Sequence, residues 1–305
     1  MAYIHAKGEW RKFDLKNHNT GENLVCIASL DEAETLYKND FIDKTSIRQC
    51  LRRKAFTFEH LNIIDYIGVL FLDRESLNTV GEKFCICSGS KSLIIIHENT
   101  DLANMIINEL IPEQADVQTG ISKLFISLME KTIIGHIEQH EQIEDEIALL
   151  ENAFLTDRSN VGPDRILVLQ KKLLVFKRFY EQLQYVLDDI QEAKYNLIDE
   201  DNMRLYTLFT RRIERLLRNV LVLREYVTQV RESYEAETDI SLNRIMRLFT
   251  VVTVIFMPLT LIVGWYGMNL KMPEYKWIWS YPLVISISLI VVVLTIVFFK
   301  KNKWF

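Results

Sequence analysis

Two uninterrupted apolar runs near the C-terminus constrain this chain more than any other feature. Leu248–Met268 continues for twenty-one residues without a charge, about the number that crosses the hydrocarbon core of a bilayer. Tyr281–Phe299 is a second uncharged run, rich in Val and Ile. A short loop joins them, so a tight transmembrane hairpin is predicted. Arg244 and Arg247 precede the first run, Lys300, Lys301 and Lys303 follow the second, and the loop holds Lys271 and Lys276 with Glu274. Lysine and arginine concentrate on the cytoplasmic side of a membrane. Both termini are therefore expected in the cytoplasm, in a multi-pass protein of the cell (plasma) membrane. Trp265, Tyr266, Trp277, Trp279 and Tyr281 gather at the opposite end, where interfacial aromatic rings belong.

The residues before these runs read as a soluble body. The N-terminus has no apolar run of the kind a signal peptide needs. Residues 1–115 are expected to form a cytoplasmic α/β domain. Its apolar runs are Leu24–Leu30, Ile63–Leu72, Phe84–Cys87 and Leu93–His97, with helical segments at Leu30–Tyr37 and Ser46–Lys54. Tyr66–Phe71, Phe84–Cys87 and Leu93–His97 suit a meander. Residues 116–247 are expected to be a cytoplasmic helical stalk, and 248–305 the hairpin with a basic tail. Within the stalk, Ile121–Leu155 shows helical spacing, and Val161-Gly162-Pro163-Asp164 breaks the chain before a second helix that runs to about Asn196. A third helix starts near Asp201 and shows no stop before the membrane. Its seam is Leu205, Phe209, Ile213, Leu216, Val220, Leu223, Val227, Val230 and Tyr234, alternating three and four residues as in a coiled coil. Between Asp201 and Gly264 the only proline is Pro258 and there is no glycine. A helix of that length spans roughly 100 Å. The fold class is thus an α+β membrane protein whose stalk continues into the first of two C-terminal spans.

Charge and motif content exclude several functions. A net charge of -5 argues against nucleic acid as a partner, because phosphate binding calls for a basic excess. Glu138–Glu151 holds six acidic residues and no lysine or arginine, and reads as a solvated face. Cys26, Cys50, Cys85 and Cys87 lack zinc-knuckle or thioredoxin-like spacing; Cys85 and Cys87 alternate in an apolar segment and are expected to pack in a strand. His136-Ile-Glu-Gln-His140 does not match the zinc-protease pattern. No phosphate-cradling glycine loop and no catalytic triad or carboxylate pair is present, so no enzyme activity and no organic cofactor are expected.

One hairpin cannot enclose a path for water. If the chain conducts ions, several copies surround an axis and one face of the first span is polar or small. Asn243, Thr250, Thr253, Thr260 and Gly264 recur at roughly helical spacing, with Met246 and Met257 interleaved. The second span has only Ser286, Ser288 and Thr295, a composition suited to lipid contact. Small and hydroxyl residues also help membrane helices pack, and proline is tolerated in such helices, so composition alone leaves both readings open.

At the outer end of the first span stands Tyr266-Gly267-Met268-Asn269, then Met272-Pro273-Glu274 and Trp277, Trp279, Tyr281 and Pro282. This resembles the signature of the CorA family of magnesium channels, in which Gly-Met-Asn ends the first span and Met-Pro-Glu commonly follows. The resemblance extends back through Ile255-Phe256-Met257-Pro258-Leu259-Thr260 and Gly264, and forward to Lys300-Lys301-Asn302-Lys303-Trp304. It is close over about 240–305, holds in pattern through the stalk, and holds only in class over the first 115 residues.

The resemblance implies a funnel-shaped homopentamer and a divalent-cation channel for Mg²⁺ influx, with Co²⁺ and Ni²⁺ as further candidate ions. It implies a selectivity ring of Gly267, Met268 and Asn269, with Tyr266 and Glu274 at the loop and mouth. The implied pore-lining set is Asn243, Met246, Phe249, Thr253, Met257, Thr260 and Gly264; Phe249 departs from the smaller aliphatic residues common there. It implies Mg²⁺ as the regulatory ion as well, bound between cytoplasmic domains to hold the pore shut, with Asp73 and Glu232 as candidate ligands. The chemistry suits the ion: Mg²⁺ gives up its waters reluctantly, and asparagine and carbonyl oxygens can accept hydrogen bonds from those waters. Met246, Phe249 and Met257 could close the path by dewetting. Two alternatives stand beside this one. A zinc transporter of the related ZntB-like branch more often carries Gly-Ile-Asn, and a non-conducting membrane-tethered scaffold would explain stalk and spans but not the polar face.

Overall fold

The computed structural model describes residues 2–6, 9–13, 23–30, 33, 42–53, 55–61, 64–72, 80–89, 92–98, 120–155, 164–193, 197–268 and 273–302. The chain divides into two units, Met1–Val230 and Arg231–Phe305.

Among the described residues, the first unit opens with a seven-stranded sheet and one helix. The strands are β1 (Ala2–Ala6), β2 (Glu9–Phe13), β3 (Asn23–Ser29), β4 (Thr57–Leu61), β5 (Ile64–Leu72), β6 (Val80–Gly89) and β7 (Ser92–His97), and α1 (Lys44–Arg52) lies between β3 and β4. The spatial order is β2-β1-β3-β7-β6-β5-β4. Neighbours pair antiparallel except β3 and β7, which run parallel. β5, β6 and β7 form the meander expected from their sequence runs. β1, β2 and β4 were not legible, because each is only five residues long, too short for a period-two signal to rise above chance.

Successive strand residues point to opposite faces of a sheet, and both faces here are covered. Val25, Ile27, Ile67, Val69, Phe84, Ile86, Leu93 and Ile95 belong to one core, shared with the later helices. Cys26, Ala28, Tyr66, Cys85, Cys87, Ile94 and Ile96 belong to a second core with Ile47, Cys50 and Leu51 of α1. Cys85 and Cys87 therefore pack in a strand, as their alternation predicted. α1 starts where the Asp43 carboxylate accepts the Ser46 amide at 2.7 Å, satisfying a donor that the first turn would leave orphaned. The Asp43 amide in turn donates to the Tyr66 hydroxyl at 2.7 Å. Burial pushes that phenol up to about 12, so it stays protonated.

Four helices build the other layer of the main core: α2 (Ile121–Lys131), α3 (His136–Leu155), α4 (Asp164–Glu192) and the N-terminal part of α5 (Met203–Tyr266). The single helix expected over Ile121–Leu155 is two. The chain turns at 132–135, where Gly135 takes φ 82°, a left-handed conformation that glycine alone adopts cheaply. α4 ends at Glu192 rather than near Asn196, and 194–196 lie outside the described residues. Ser122 at the start of α2 donates to the Leu197 carbonyl at 2.8 Å and accepts the Asp199 amide at 3.1 Å. Asp199 then accepts from the Asn202 amide at 3.0 Å, leading into α5. The seam of α5 is Tyr206, Phe209, Ile213, Leu216, Val220, Leu223, Val227 and Val230. Tyr206, not Leu205, opens it: the Tyr206 hydroxyl reaches the Leu187 carbonyl on α4 while Leu205 is exposed.

His136 and His140 lie inside this helical layer, not on a metal-binding surface. The Tyr180 hydroxyl sits 2.9 Å from Nδ1 of His136 and 3.2 Å from Nε2 of His140. Phe176 meets the His140 ring edge-on at 4.8 Å. Nδ1 of His140 is buried without a partner among the described residues. Buried N–H groups without an acceptor are rarer than unpaired lone pairs, which favours the tautomer with the proton on Nε2; in it His140 donates to Tyr180, and Tyr180 donates to His136. Burial holds the His140 pKa down at about 4 and pushes the Tyr180 hydroxyl up. On the outer side of α3, Glu138, Glu141, Glu144, Asp145 and Glu146 are exposed, the solvated face expected from their run.

The second unit contains the rest of α5, a short 3₁₀ turn at Pro273–Lys276 and α6 (Ser280–Lys301). The apolar part of α5 and the whole of α6 are each long and apolar enough to cross a membrane, and only 6% of either window is buried. That low burial separates them from the core helices of a soluble protein, which pass the same length test but hide their apolar surface.

Candidate functional site

The two spans touch along one stripe each. On α5 the covered positions are Val251, Ile255, Pro258, Leu259, Ile262 and Tyr266. On α6 they are Val284, Ser288, Val291, Val292, Thr295 and Phe299. Leu259, Ile262 and Tyr266 share a cleft with Val284, Ser288 and Val292, so the helices run antiparallel in this register. Ser288 and Thr295 thus lie on the helix–helix side, where small residues allow close approach. α5 continues through Pro258, whose missing amide leaves the Val254 carbonyl without its helical donor.

The polar and small residues of α5 lie on the other side. At about 100° per residue, Met246, Phe249, Thr253, Met257, Thr260 and Gly264 fall within about 40° of one line. That line is opposite Val251, Ile255, Pro258 and Ile262. Asn243 lies about 80° from it on the same helical count. All seven are exposed in the single chain. Thr253, Met257, Thr260 and Gly264 line a shallow groove with Val252, Phe256, Leu261, Trp265 and Met268. Met268 was already expected in the selecting ring; Phe256 and Leu261 fall about 60° and 80° from the line on helical phase, whereas Val252 and Trp265, at about 100° and 120°, are placed here by the groove rather than by phase.

The hydroxyls on this side are already satisfied as donors. Thr250 donates to the Met246 carbonyl at 2.8 Å, Thr253 to Phe249 at 2.8 Å and Thr260 to Phe256 at 2.9 Å. Each of these three hydroxyl oxygens keeps its lone pairs and has its proton already engaged, so it can accept a further hydrogen bond but has none to donate. The described part of α5 on this side bears no carboxylate from residue 240 to Met268, so it offers no direct anionic ligand to a cation.

The end of α5 is built on glycine. The Gly267 amide donates to the Val263 carbonyl at 2.8 Å, and a Cβ on Gly267 would stand 2.9 Å from that same oxygen. The clash is with backbone that cannot swing away, so the turn into Met268 needs a residue without a side chain. Gly264 differs: a Cβ there would meet nothing within 4 Å, so nothing in one chain requires it to be glycine. Met268 is exposed and Tyr266 is half-buried. Asn269 lies outside the described residues, and Glu274 lies in the Pro273–Lys276 turn with its side chain outside them.

Of the two expected regulatory residues, only Glu232 lies among the described residues. Asp73 lies outside the described residues, and Glu232 is an exposed carboxylate on α5. Among the described residues no three His, Cys, Asp or Glu side chains gather to hold a metal ion within one chain.

Comparison with known proteins bears on this site. The family profile described as "CorA-like Mg2+ transporter protein" matches residues 27–301. The cobalt/magnesium transport protein CorA of Thermotoga maritima is 29% identical over 182 residues, 59% of this chain and 52% of that protein. The match thus spans about half the length of that relative. Among solved structures, the CorA magnesium transporter from Methanocaldococcus jannaschii superimposes with a TM-score of 0.81 at 19% identity, covering 100% of this chain and 98% of that one. The ZntB cytoplasmic domain from Vibrio parahaemolyticus gives a TM-score of 0.59 at 15% identity, covering 78% of this chain and 97% of that one. At these identities the structural likenesses speak to fold alone.

Proposed function

This chain belongs to the CorA-like Mg²⁺ transporter family, and from that premise we propose that it is a channel for Mg²⁺ influx across the cell membrane, with Co²⁺ and Ni²⁺ as further substrates. The observation that carries this reading is the uncovered side of α5. Its Thr hydroxyls, Met side chains and Gly264 lie opposite the α6-facing stripe and lead to the Gly267 turn. A span that only anchored the chain would have no reason to segregate such residues away from its partner helix.

Several copies around an axis turn that side into a lining, and we take the assembly to be a funnel-shaped homopentamer. Residues 1–247 are then cytoplasmic, with both termini inside. Mg²⁺ is transported with its waters, because stripping them is costly for so small an ion. Gly267, Met268 and Asn269 form the selecting ring, where five Asn269 amide oxygens and the backbone carbonyls accept hydrogen bonds from the ion's water shell. Tyr266 and Glu274 flank that mouth. Along the path Asn243, Thr253, Thr260 and Gly264 offer polar or open girdles, while Met246, Phe249 and Met257 form apolar ones that close by dewetting. Gating by cytoplasmic Mg²⁺ is part of the proposal. A lone exposed carboxylate such as Glu232 fits this ion, which keeps several waters and takes one or two carboxylates, when Asp73 of a neighbouring copy supplies the second.

The test is Mg²⁺ flux into liposomes that hold the purified protein and a Mg²⁺-sensitive dye, comparing wild type with Asn269→Ala. Rapid wild-type uptake that the variant loses supports a Mg²⁺ channel selecting at the Gly-Met-Asn turn. Zn²⁺ entry without Mg²⁺ entry would move the chain to the zinc branch, whose cytoplasmic fold it shares. Silence to every divalent ion would leave a membrane-tethered scaffold.

A further inference from the structure

The membrane hairpin holds four cations at one end that no carboxylate among the described residues neutralises. Arg244 and Arg247 on α5 and Lys300 and Lys301 on α6 are all exposed. Between 240 and 305 the sequence carries seven lysines and arginines against the single carboxylate of Glu274, which lies beyond the opposite end of the first span. Earlier on α5 the pattern is different: Arg218 pairs with Glu214 at 3.8 Å and Arg231 with Glu235 at 3.4 Å. Among the described residues, no carboxylate pairs with Arg244, Arg247, Lys300 or Lys301.

The helix register gathers these four groups. The cleft lined by Leu259 and Ile262 together with Ser288 and Val292 fixes the antiparallel match of the spans. Followed to its other end, that match brings Val251 level with Phe299, the two fully buried side chains of the hairpin at 3% and 4% exposure. Arg247 and Arg244 precede Val251 by one and two turns on the same stripe, and Lys300 and Lys301 directly follow Phe299. At about 5.4 Å per turn, the four charges occupy a band roughly two turns deep. Directly beneath them, on the membrane side, Leu248 and Phe298 are exposed at 59% and 61%. The surface is therefore cationic where the uncharged run ends and apolar immediately below.

We propose that Arg244, Arg247, Lys300 and Lys301 form a binding site for the phosphate headgroup of an anionic phospholipid, which bridges α5 and α6. Guanidinium groups engage phosphate oxygens in a bidentate fork and lysine adds a point charge. The exposed Leu248 and Phe298 take the acyl chains. A free phosphate ion shares the headgroup chemistry, but the apolar shelf beneath the charges suits only an occupant with a tail. The inference rests on the hairpin and is independent of which ion the channel passes.

The test uses the full-length protein purified in detergent and exposed to an equimolar mixture of phosphatidylglycerol and phosphatidylcholine with identical acyl chains. Retained lipid is then quantified by mass spectrometry. Each cation near an anionic surface contributes a factor of roughly five, so wild type should retain phosphatidylglycerol at least about tenfold over phosphatidylcholine. Arg247→Gln with Lys301→Gln should lower the ratio at least about fivefold, Arg247→Lys with Lys301→Arg should keep most of it, and Lys276→Gln, at the other end, should leave it unchanged. Equal retention of the two lipids by wild type overturns the proposal without recourse to any variant. Undiminished preference in the double Gln variant overturns the residue assignment. Loss of the preference on adding millimolar inorganic phosphate, at matched ionic strength, would make this a soluble-anion site and overturn the lipid.

Discussion

Acidification should weaken the helical layer of the first unit through one side chain, and His140→Phe should remove the effect. His140 is 4% exposed, and its pKa falls from 6.5 to about 4 because burial penalises the imidazolium. Between those values the unfolded chain binds a proton that the folded chain refuses, so stability rises with pH across the window. The contribution is whole above pH 6.5 and is lost as pH falls toward 4. Linkage gives a loss of about 2 kcal/mol at pH 5 and about 3 kcal/mol at pH 4. Phenylalanine keeps an aromatic ring beside Phe176, and Tyr180 keeps His136 as its partner. Urea unfolding of the full-length protein in detergent, followed by circular dichroism at pH 7 and pH 5, measures the difference. Wild type should lose about 2 kcal/mol more than the variant over that interval. Parallel losses in the two proteins would refute the reasoning, since His140 would then titrate alike folded and unfolded.

Three further outcomes follow from the geometry. Gly267→Ala drives a Cβ to 2.9 Å from the Val263 carbonyl, whereas Gly264→Ala meets nothing within 4 Å. The first should abolish Mg²⁺ uptake by displacing the turn at the mouth; the second should leave the folding of the chain unchanged and slow uptake only, and equal flux in Gly264→Ala and wild type would remove that residue from the path. Ser122→Ala strips a partner from both the Leu197 carbonyl and the Asp199 amide and should cost about 1–3 kcal/mol, read from the urea midpoint; an unchanged midpoint would show that water replaces the hydroxyl freely.

How much could be read from the sequence depended on how far each signal extended along the chain. The spans were plain because twenty uncharged residues in a row have few other uses, and α5 was plain because its seam repeats through Phe209, Ile213, Leu216 and Val220. The break between α2 and α3 was missed although Gly135 marked it, because apolar spacing resumes in phase after the turn. The opening of the seam shifted from Leu205 to Tyr206 because the decisive interaction is a hydrogen bond to Leu187 on another helix, which periodicity does not encode. His136 and His140 could be dismissed as a zinc motif, but their union with Tyr180 needed α4, some forty residues on. In the candidate site, the free side of α5 was readable as a pattern of small and hydroxyl residues. That it lies opposite α6 required the packing, since nothing in the sequence of the second span says which of its faces is covered.

The length of α5 has a consequence for how the protein is made. The same uninterrupted helix, Met203–Tyr266, supplies the last pieces of the main core, Tyr206 through Val230, and then the first span. Synthesis runs from the N-terminus, so β1 to α4 emerge while the core still lacks its closing helix. By the time Val230 leaves the ribosome, the apolar run from Leu248 is next in line. Completion of the first unit and delivery of the nascent chain to the membrane are therefore nearly simultaneous. A delay in either leaves the other exposed: an open helical layer, or a bare span awaiting a bilayer.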